Sequence, residues 1–174
     1  MLKYTSMETK VTSFLGLGSN LGDRVGQLRG ARQALQRDPA VTVVASAPLY
    51  ETVAVGGPEG QPPYLNTALK IETVYSPERL LELCLQVETQ FDRQRNERWG
   101  PRTLDIDILF FDSIIRMDIA LVLPHPRLHE RAFVLSPLAD LAPDLIHPVV
   151  FLTVNEMLLR LDSTEGVQRV AELW

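Results

Sequence analysis

Apolar residues recur along this chain with two different spacings, and the changes between them predict the order of its elements. Residues 12–18 form a short apolar run that ends in glycines, which is typical of a strand that runs into a loop. Between Asp23 and about Arg37 the apolar positions recur every three or four residues, which predicts a helix. The β-branched stretch 41–52 and the alternating stretch 65–73 predict two further strands.

A second helix and a further strand follow these elements, and the rest of the chain is predicted to be helical. Residues 76–78, Ser-Pro-Glu, are typical of a helix start, and an arginine-rich connection, 92–102, follows that helix. Residues 104–112 predict a strand, and helices are predicted within 121–143 and 153–162. The order β-α-β-β-α-β predicts an α+β, ferredoxin-like fold, an antiparallel sheet with two helices on one face, with added C-terminal helices.

Length and composition indicate one globular domain, residues 1–174, with residues 1–10 as a loose tail. The chain has 174 residues, of which 45% are hydrophobic and 22% charged. A net charge of −5 and a pI near 5.2 argue against a general nucleic-acid binder. No apolar stretch approaches the roughly 18 residues that span a bilayer. Because the single cysteine, Cys84, cannot form an internal disulfide, the cytoplasm is the predicted location.

Two aspartates lie inside the apolar strand predicted at 104–112. Side chains alternate along a strand, which predicts two faces: Asp105, Asp107, Leu109 and Phe111 on one, and Ile106, Ile108 and Phe110 on the other. Two carboxylates with Cα atoms roughly 7 Å apart repel each other unless a cation lies between them. One or two Mg²⁺ ions fit, since Mg²⁺ takes one or two carboxylates and completes its shell with water and phosphates. A surface pair bridged to arginines explains the same spacing.

Arginines are dense in the segment immediately before the two aspartates, where Arg93, Arg95, Arg98 and Arg102 lie. Arginine suits bidentate phosphate recognition and neutralises the charge that develops in phosphoryl transfer. Taken singly, each of these arginines is more typical of a solvated loop. Together with the carboxylates they indicate a site that processes a nucleotide.

Other candidate residues lie in or beside the loops. Gly16 and Gly18 allow a strand to pass close to a ligand, although ordinary turn chemistry explains them too. The glycine spacing is one residue too long for a dinucleotide fingerprint, and no P-loop motif is present. Asn66 could bind a planar heterocycle through a donor and an acceptor. His125 lies between two prolines, which either aims it at a phosphate or makes it an exposed turn histidine.

Four segments resemble sequence blocks of the 6-hydroxymethyl-7,8-dihydropterin pyrophosphokinase family, and they occur in the family's order between residue 14 and about 147. They are LGLGSNLGDR, YETVAVGGPEGQPPYLNTALKIET, DRQRNERWGPRTLDIDIL and LPHPRLHERAFVLSPLADLAPDL. The family transfers pyrophosphate from ATP to the pterin hydroxymethyl group and releases AMP in folate biosynthesis. The resemblance implies an Mg²⁺-dependent enzyme with ATP and the pterin as substrates, and with no nucleic acid, membrane or obligate protein partner.

The resemblance also implies a role for each matching site residue. Asp105 and Asp107 would bind two Mg²⁺, and Arg93 and Arg102 would join them as catalytic residues. The residues that would contact ATP are Glu88, Arg93, Arg102, Ile108, His125 and Arg131. Those that would frame the pterin are Thr52, Val55, Tyr64, Asn66, Trp99 and Phe133, with Trp99 and Phe133 stacking on its two faces. The segments 18–24, 53–63 and 92–102 match mobile loops that close over substrates in this family.

Two departures and two other functions stay open at this point. Ala54 stands where the family often has proline, and Pro63 where it often has aspartate, so the resting conformation of 53–63 is not implied. Paired aspartates also occur in palm-type nucleotidyl transferases, but a pocket built around Asn66 argues against that class. Ferredoxin-like modules also bind ligands or RNA, and the acidic pI argues against RNA.

Overall fold

A computed structural model describes residues 9–53, 60–91, 103–164 and 166–174. The strands are β1 Val11–Ser19, β2 Val41–Ser46, β3 Leu49–Thr52, β4 Tyr64–Thr73, β5 Asp105–Phe111, β6 Arg116–Met117, β7 Val122–Leu123 and β8 Val167–Ala171. The helices are α1 Arg24–Arg37, α2 Pro77–Gln90, α3 Ala132–Leu141 and α4 Val154–Leu159, and a 3₁₀ turn, Leu128–Glu130, precedes α3. The predicted start of α2 is confirmed, since Ser76 caps it by accepting the Arg79 N–H.

The chain folds as a mixed helix and antiparallel sheet structure. The main sheet has the strand order β5-β1-β4-β3-β8, with β2 also beside β4, and β6 and β7 form a separate pair. Helices α1 and α2 pack on one face of the sheet around Leu15 and Leu17. Helices α3 and α4 pack on part of the other face around Phe14 and Leu109. In the described part of the chain, no helix is long and apolar enough to cross a membrane.

The predicted strand 41–52 is two strands, so that prediction was wrong in its detail. The break falls at Ala47 and Pro48, where proline removes a backbone donor from the ladder. Ala47 stays attached to the sheet, because its carbonyl accepts the Thr67 hydroxyl at 2.9 Å and the Trp174 indole N–H at 2.7 Å. The break therefore provides an attachment point for Trp174, which is buried beneath the Arg32 guanidinium.

The C-terminal strand β8 was not predicted from the sequence, which indicated only helices after residue 112. It lies at the outer edge of the sheet, antiparallel to β3. Its residues are half-buried or exposed, so the strand lacks the apolar alternation that predicts a strand. A short edge strand of this kind is defined by its partner in the sheet and not by its own pattern.

A β-bulge at Leu109 changes the two faces of β5. Ile108 lies opposite Leu15, and Phe110 lies opposite Phe14, so Leu109 has no partner residue in β1. The side chain of Phe110 therefore packs against Phe14 on the α3 side, whereas Phe111 packs on the α1 and α2 side. The predicted faces of Phe110 and Phe111 were wrong, because the extra residue shifts the two-residue period. The faces of the aspartates and of Leu109 are as predicted.

Candidate active site

The predicted polar residues Asp105, Asp107 and Asn66 lie on the sheet face that carries α3. The register places Asp105 opposite Gly18, and Gly18 opposite Asn66 on the next strand. Asp107 lies opposite Gly16 in the neighbouring row. Because directly opposite residues share a face, the carboxylates and Asn66 lie on the two sides of a glycine strip.

The glycine strip forms the floor between the carboxylates and the amide. A Cβ atom at Gly18 would lie 3.0 Å from the Asn66 Oδ1 atom, and one at Gly16 would lie 3.3 Å from the Leu109 Cδ2 atom. Both glycines therefore let neighbouring side chains lie over the sheet where any larger residue would displace them. The sequence indicated close approach to a ligand, and the structure shows close approach of other side chains.

Three of the predicted pterin residues form one polar group at the ends of β3 and β4. Asn66 is 7% exposed and Thr52 is 4% exposed, and the Asn66 Nδ2 donates to the Thr52 Oγ1 at 2.8 Å. Tyr64 is half-buried and lies opposite Thr52 in the register. The hydrogen bond fixes the plane of the Asn66 amide, so its donor and acceptor edges have a defined direction.

His125 is attached to the strand at the β-bulge and lies beside Asp107. Its backbone N–H donates to the Leu109 carbonyl at 2.9 Å, a group that the bulge leaves outside the β1 ladder. Its Nε2 atom lies 4.0 Å from the Asp107 Oδ2. Burial, together with the positive charge of Arg131, lowers the pKa of His125 from 6.5 to about 4, although Asp105 acts in the opposite direction. The imidazole is therefore neutral at pH 7.

The hydrogen bonds of His125 define which ring nitrogen carries the proton. The backbone N–H of Arg127 donates to the Nδ1 atom at 3.2 Å, so Nδ1 is an acceptor. In a neutral imidazole the other nitrogen is then the donor. The Nε2–H therefore points toward the side of the ring where Asp107 lies.

Arg131 and Phe133 lie at the start of α3, on the same side of the sheet. The Arg131 guanidinium carbon lies 5.7 Å from the Phe133 ring centroid. Burial and the charge of Arg127 lower the pKa of Arg131, and Asp107 and Asp105 oppose that shift. An arginine remains charged after such a shift, so Arg131 contributes a positive charge close to both carboxylates.

Arg127 was not identified from the sequence. Its charge lowers the pKa of His125 and of Arg131, and its amide orients the His125 ring. The one available signal was its position two residues after His125, in a segment held by Pro124 and Pro126.

Two predicted ATP residues lie beneath the sheet, on the side of α1 and α2. The Ile108 side chain belongs to the core on that side, so it does not face the aspartates. Glu88 is 2% exposed, and its Oε1 accepts the backbone N–H of Ile106 at 2.8 Å. Their proposed contacts with ATP stay predictions.

The aspartates fit a cation that takes most of its ligands from elsewhere. In residues 9–53, 60–91, 103–164 and 166–174, no group of three or more His, Cys, Asp or Glu side chains could hold a metal ion. Asp105 and Asp107 alone would supply two carboxylates on one face. That donor set suits Mg²⁺, which fills its remaining positions with water and substrate phosphates. It does not suit zinc, which prefers histidine and cysteine.

Several predicted site residues lie outside the part of the chain that the structure describes. They are Val55, Arg93, Trp99 and Arg102, together with Arg95 and Arg98. Their roles stay predictions. The described ends of the segment that holds the arginines, Phe91 and Thr103, lead to α2 and β5.

The family resemblance implies a pterin beside Asn66, and we expect Gly18→Ala to weaken its binding about 10-fold through that residue. The new Cβ would lie 3.0 Å from the Asn66 Oδ1, so the amide must move by a few tenths of an ångström. The KM for the pterin measures this effect. In an Asn66→Ala background the same change should have almost no effect, because the displaced side chain is already absent. Additive losses in the double variant would contradict the explanation.

We expect the protein to lose stability as the pH falls from 7 to 5, partly because of His125. In the unfolded chain this histidine takes up a proton near pH 6.5, whereas in the folded chain it does so only near pH 4. The contribution of His125 to the free energy of unfolding is thus complete above pH 7 and decreases by roughly 1–3 kcal/mol as the pH falls to 5. Urea unfolding of wild type and His125→Gln at both pH values isolates it, since His147 shifts equally in both proteins. An equal loss in the two proteins would exclude His125.

Comparison with known proteins assigns the chain to a family. A family model described as 7,8-dihydro-6-hydroxymethylpterin-pyrophosphokinase (HPPK) matches residues 14–143. A 2-amino-4-hydroxy-6-hydroxymethyldihydropteridine pyrophosphokinase of Methylorubrum extorquens is 45% identical over 91% of this chain and 98% of that protein. The enzyme of the same name from Bacillus subtilis is 46% identical over 74% of this chain and 77% of that protein.

A solved structure of a Plasmodium falciparum HPPK-DHPS mutant with pteroate has a similar fold. Its TM-score is 0.71 and its sequence identity 15%, and the match covers 92% of this chain and 47% of that chain. This chain thus spans about half the length of that solved chain. The family model and the two curated relatives establish what the distant structure alone would not: this chain belongs to the HPPK family.

Proposed function

We propose that this protein transfers the pyrophosphoryl group of ATP to the hydroxymethyl group of 6-hydroxymethyl-7,8-dihydropterin in folate synthesis. The activities for which its relatives are named support the reaction. The observation that carries the proposal is the arrangement of this sheet face, where Gly18 lies between Asp105 and Asn66 and Gly16 lies beside Asp107. Such a floor suits a flat ring on one side and phosphates on the other.

The pterin would lie over Gly18, against the Asn66 and Thr52 side of the floor. Asn66 is held by Thr52 at 2.8 Å, so its amide can offer a donor and an acceptor to a heterocycle without first becoming ordered. Tyr64 and Phe133 are half-buried at the rim and provide apolar surface for the ring. Val55 and Trp99 would complete the pocket.

The ATP phosphates would lie on the side of the aspartates, where cationic and hydrogen-bonding groups converge. Arg131 places a positive charge near both carboxylates, and neutral His125 directs its Nε2–H to the same region. A neutral donor cannot act as a base through the nitrogen that holds the proton, so we assign His125 to phosphate binding. Arg93 and Arg102 would add further positive charge, and Glu88 and the Ile108 backbone would lie near the nucleotide.

Asp105 and Asp107 would hold Mg²⁺, which we propose as two ions. When bound, Mg²⁺ would neutralise charge on the ATP phosphates. The two carboxylates share one face and one end of β5, which supports their acting on the same group. Because the protein would supply only these two carboxylates, the ions would keep coordination positions for phosphate oxygens.

The reaction would be an in-line displacement at the β-phosphorus of ATP. The hydroxymethyl oxygen of the pterin forms the new P–O bond and releases its proton to solvent. The bond between the β-phosphorus and the oxygen bridging to the α-phosphate breaks, and AMP leaves with that oxygen. The chain's own residues would orient the two substrates and stabilise negative charge, which accounts for most of the rate in phosphoryl transfer. We assign no side chain as general base.

The experiment that tests this function measures AMP release from ATP. The protein is incubated with ATP and Mg²⁺, with or without 6-hydroxymethyl-7,8-dihydropterin, and AMP and the pterin diphosphate are quantified. We expect AMP only when the pterin is present. Release of inorganic phosphate or pyrophosphate without a pterin product would instead indicate another phosphoryl or nucleotidyl transferase.

We also propose that β1 to β5 with α1 and α2 form a ferredoxin-like core. The order β5-β1-β4, followed by β2 and β3 beside β4, supports this arrangement, with β8, α3 and α4 as additions. Residues 1–174 would then form one domain. A cytoplasmic location fits the single cysteine, since Cys84 is buried and burial raises the pKa of its thiol.

A further inference from the structure

Strand β5 carries both aspartates, yet it lies at the edge of the sheet. Among the strands that the structure describes, it pairs in the main sheet only with β1. Along an antiparallel strand, the backbone groups of successive residues point alternately toward the partner and away from it. The N–H of Ile106, between Asp105 and Asp107, points away from β1, and it donates to Glu88 instead.

Glu88 therefore supplies the hydrogen-bond acceptor that a neighbouring strand would supply to the Ile106 N–H in the middle of a sheet. Its Oε1 accepts the Ile106 N–H at 2.8 Å, and the bond is buried. The amides of Asp105 and Asp107 then point to the opposite edge, toward Gly18 and Gly16 of β1. The segment that carries the two carboxylates is thus held on both sides, by β1 on one and by Glu88 on the other.

A carboxylate at this position lowers the stability of the folded protein, and no group in its own helix offsets that loss. Glu88 lies in the last turn of α2, where the helix dipole disfavours negative charge, and that turn contains no basic residue. Its 2% exposure adds the penalty of burying a charge. Helix stability alone would favour a neutral or basic residue. One contact that uses the carboxylate is the charge-assisted hydrogen bond from the backbone of β5.

We infer that Glu88 is a positioning residue that sets the orientation of Asp105 and Asp107 through the Ile106 amide. It also joins the end of α2 to the start of β5, the two elements that flank the arginine-rich segment 92–102. The inference rests on the proposed function for its activity readout. The role differs from a direct contact with ATP, because the acceptor atom acts on the backbone of the strand.

Two substitutions with side chains of similar length separate the positioning role from a direct contact with ATP. Glu88→Gln keeps an acceptor oxygen for the Ile106 N–H, whereas Glu88→Met has the same length and lacks one. We expect Glu88→Met to lower kcat and raise the Mg²⁺ concentration for half-maximal activity, each about 10- to 100-fold, as losses of outer partners of metal ligands do. Glu88→Gln should restore activity to within about threefold of wild type. Glu82→Met, an exposed glutamate on the same helix, is the matched control and should change neither value.

Hydrogen exchange at the Ile106 amide gives a readout that needs no reaction. By NMR we expect slow exchange in wild type and in Glu88→Gln, and exchange at least about 10-fold faster in Glu88→Met, because an uncapped edge amide opens to water. If Glu88→Met does not fold, the exchange rates of the Ile106 amide in wild type and in Glu88→Gln still test whether this amide is protected. Rapid exchange at Ile106 in wild type, or equal activity losses in the Gln and Met variants, would overturn the inference. A wild type that released no AMP would instead refute the proposed function and leave the exchange result interpretable.

Discussion

Asp107→Asn is expected to reduce pyrophosphoryl transfer about 100- to 1,000-fold at saturating ATP and pterin. The asparagine keeps the shape of the side chain but removes the negative charge, so it would weaken the proposed binding of Mg²⁺ at the phosphates. Loss of one preorganised electrostatic group in an active site typically has an effect of this size on kcat. The measurement is AMP release at several Mg²⁺ concentrations, and part of the loss should be recovered at high Mg²⁺.

Asp112→Asn is the matched control for this substitution. Asp112 follows the other end of β5, is exposed, and has a positive φ of 48° that asparagine also tolerates. We expect it to leave both kcat and the Mg²⁺ dependence unchanged. Near wild-type transfer by Asp107→Asn would refute the assignment of this carboxylate to the metal.

Asn66→Leu is expected to lower kcat/KM for the pterin at least 100-fold, with a much smaller effect on the KM for ATP. Leucine matches the size of asparagine but offers neither donor nor acceptor, so polar edges of the bound heterocycle would be left buried and unpaired. Sites that hydrogen-bond their substrate discriminate strongly for this reason. The comparison of the two substrates is the decisive measurement, because general damage to the fold would affect both.

Thr52→Val refines the prediction for Asn66. The substitution removes the acceptor of the 2.8 Å bond from Asn66 but leaves the amide present. We expect a loss of about 10-fold in kcat/KM for the pterin, which is the cost of an amide whose plane is no longer fixed. Thr42→Val on β2, the same substitution away from the site, serves as the control. A Thr52→Val enzyme equal to wild type would show that the pterin itself orients Asn66.

Local spacing predicted the order of the elements up to β5, apart from the break that divides 41–52 into β2 and β3, because amphipathic periodicity depends on residues close in sequence. The later differences depend on distant partners. The bulge at Leu109 requires the register with β1 and the N–H of His125, neither of which the β5 sequence contains. Strand β8 exists because β3 presents an open edge, so its own polar sequence carries little signal.

The site was predicted from residue types, and its geometry was not. Alternation placed Asp105 and Asp107 on one face, which the structure confirms. Alternation could not show that Gly18 lies between Asp105 and Asn66, since that row joins residues from three strands. The neutral state of His125 also follows from burial and from Arg131, which no spacing reveals.

The attachment of Trp174 to Ala47 has a practical consequence for spectroscopy. The chain has two tryptophans, Trp99 and Trp174. The indole of Trp174 is buried and hydrogen-bonded at the break between β2 and β3, so its emission should report unfolding and remain insensitive to the substrates. A Trp174→Phe variant would leave Trp99 as the sole indole fluorophore. Quenching of that single signal during titration would then test the proposed stacking of the pterin on Trp99, with folding monitored separately in Trp99→Phe.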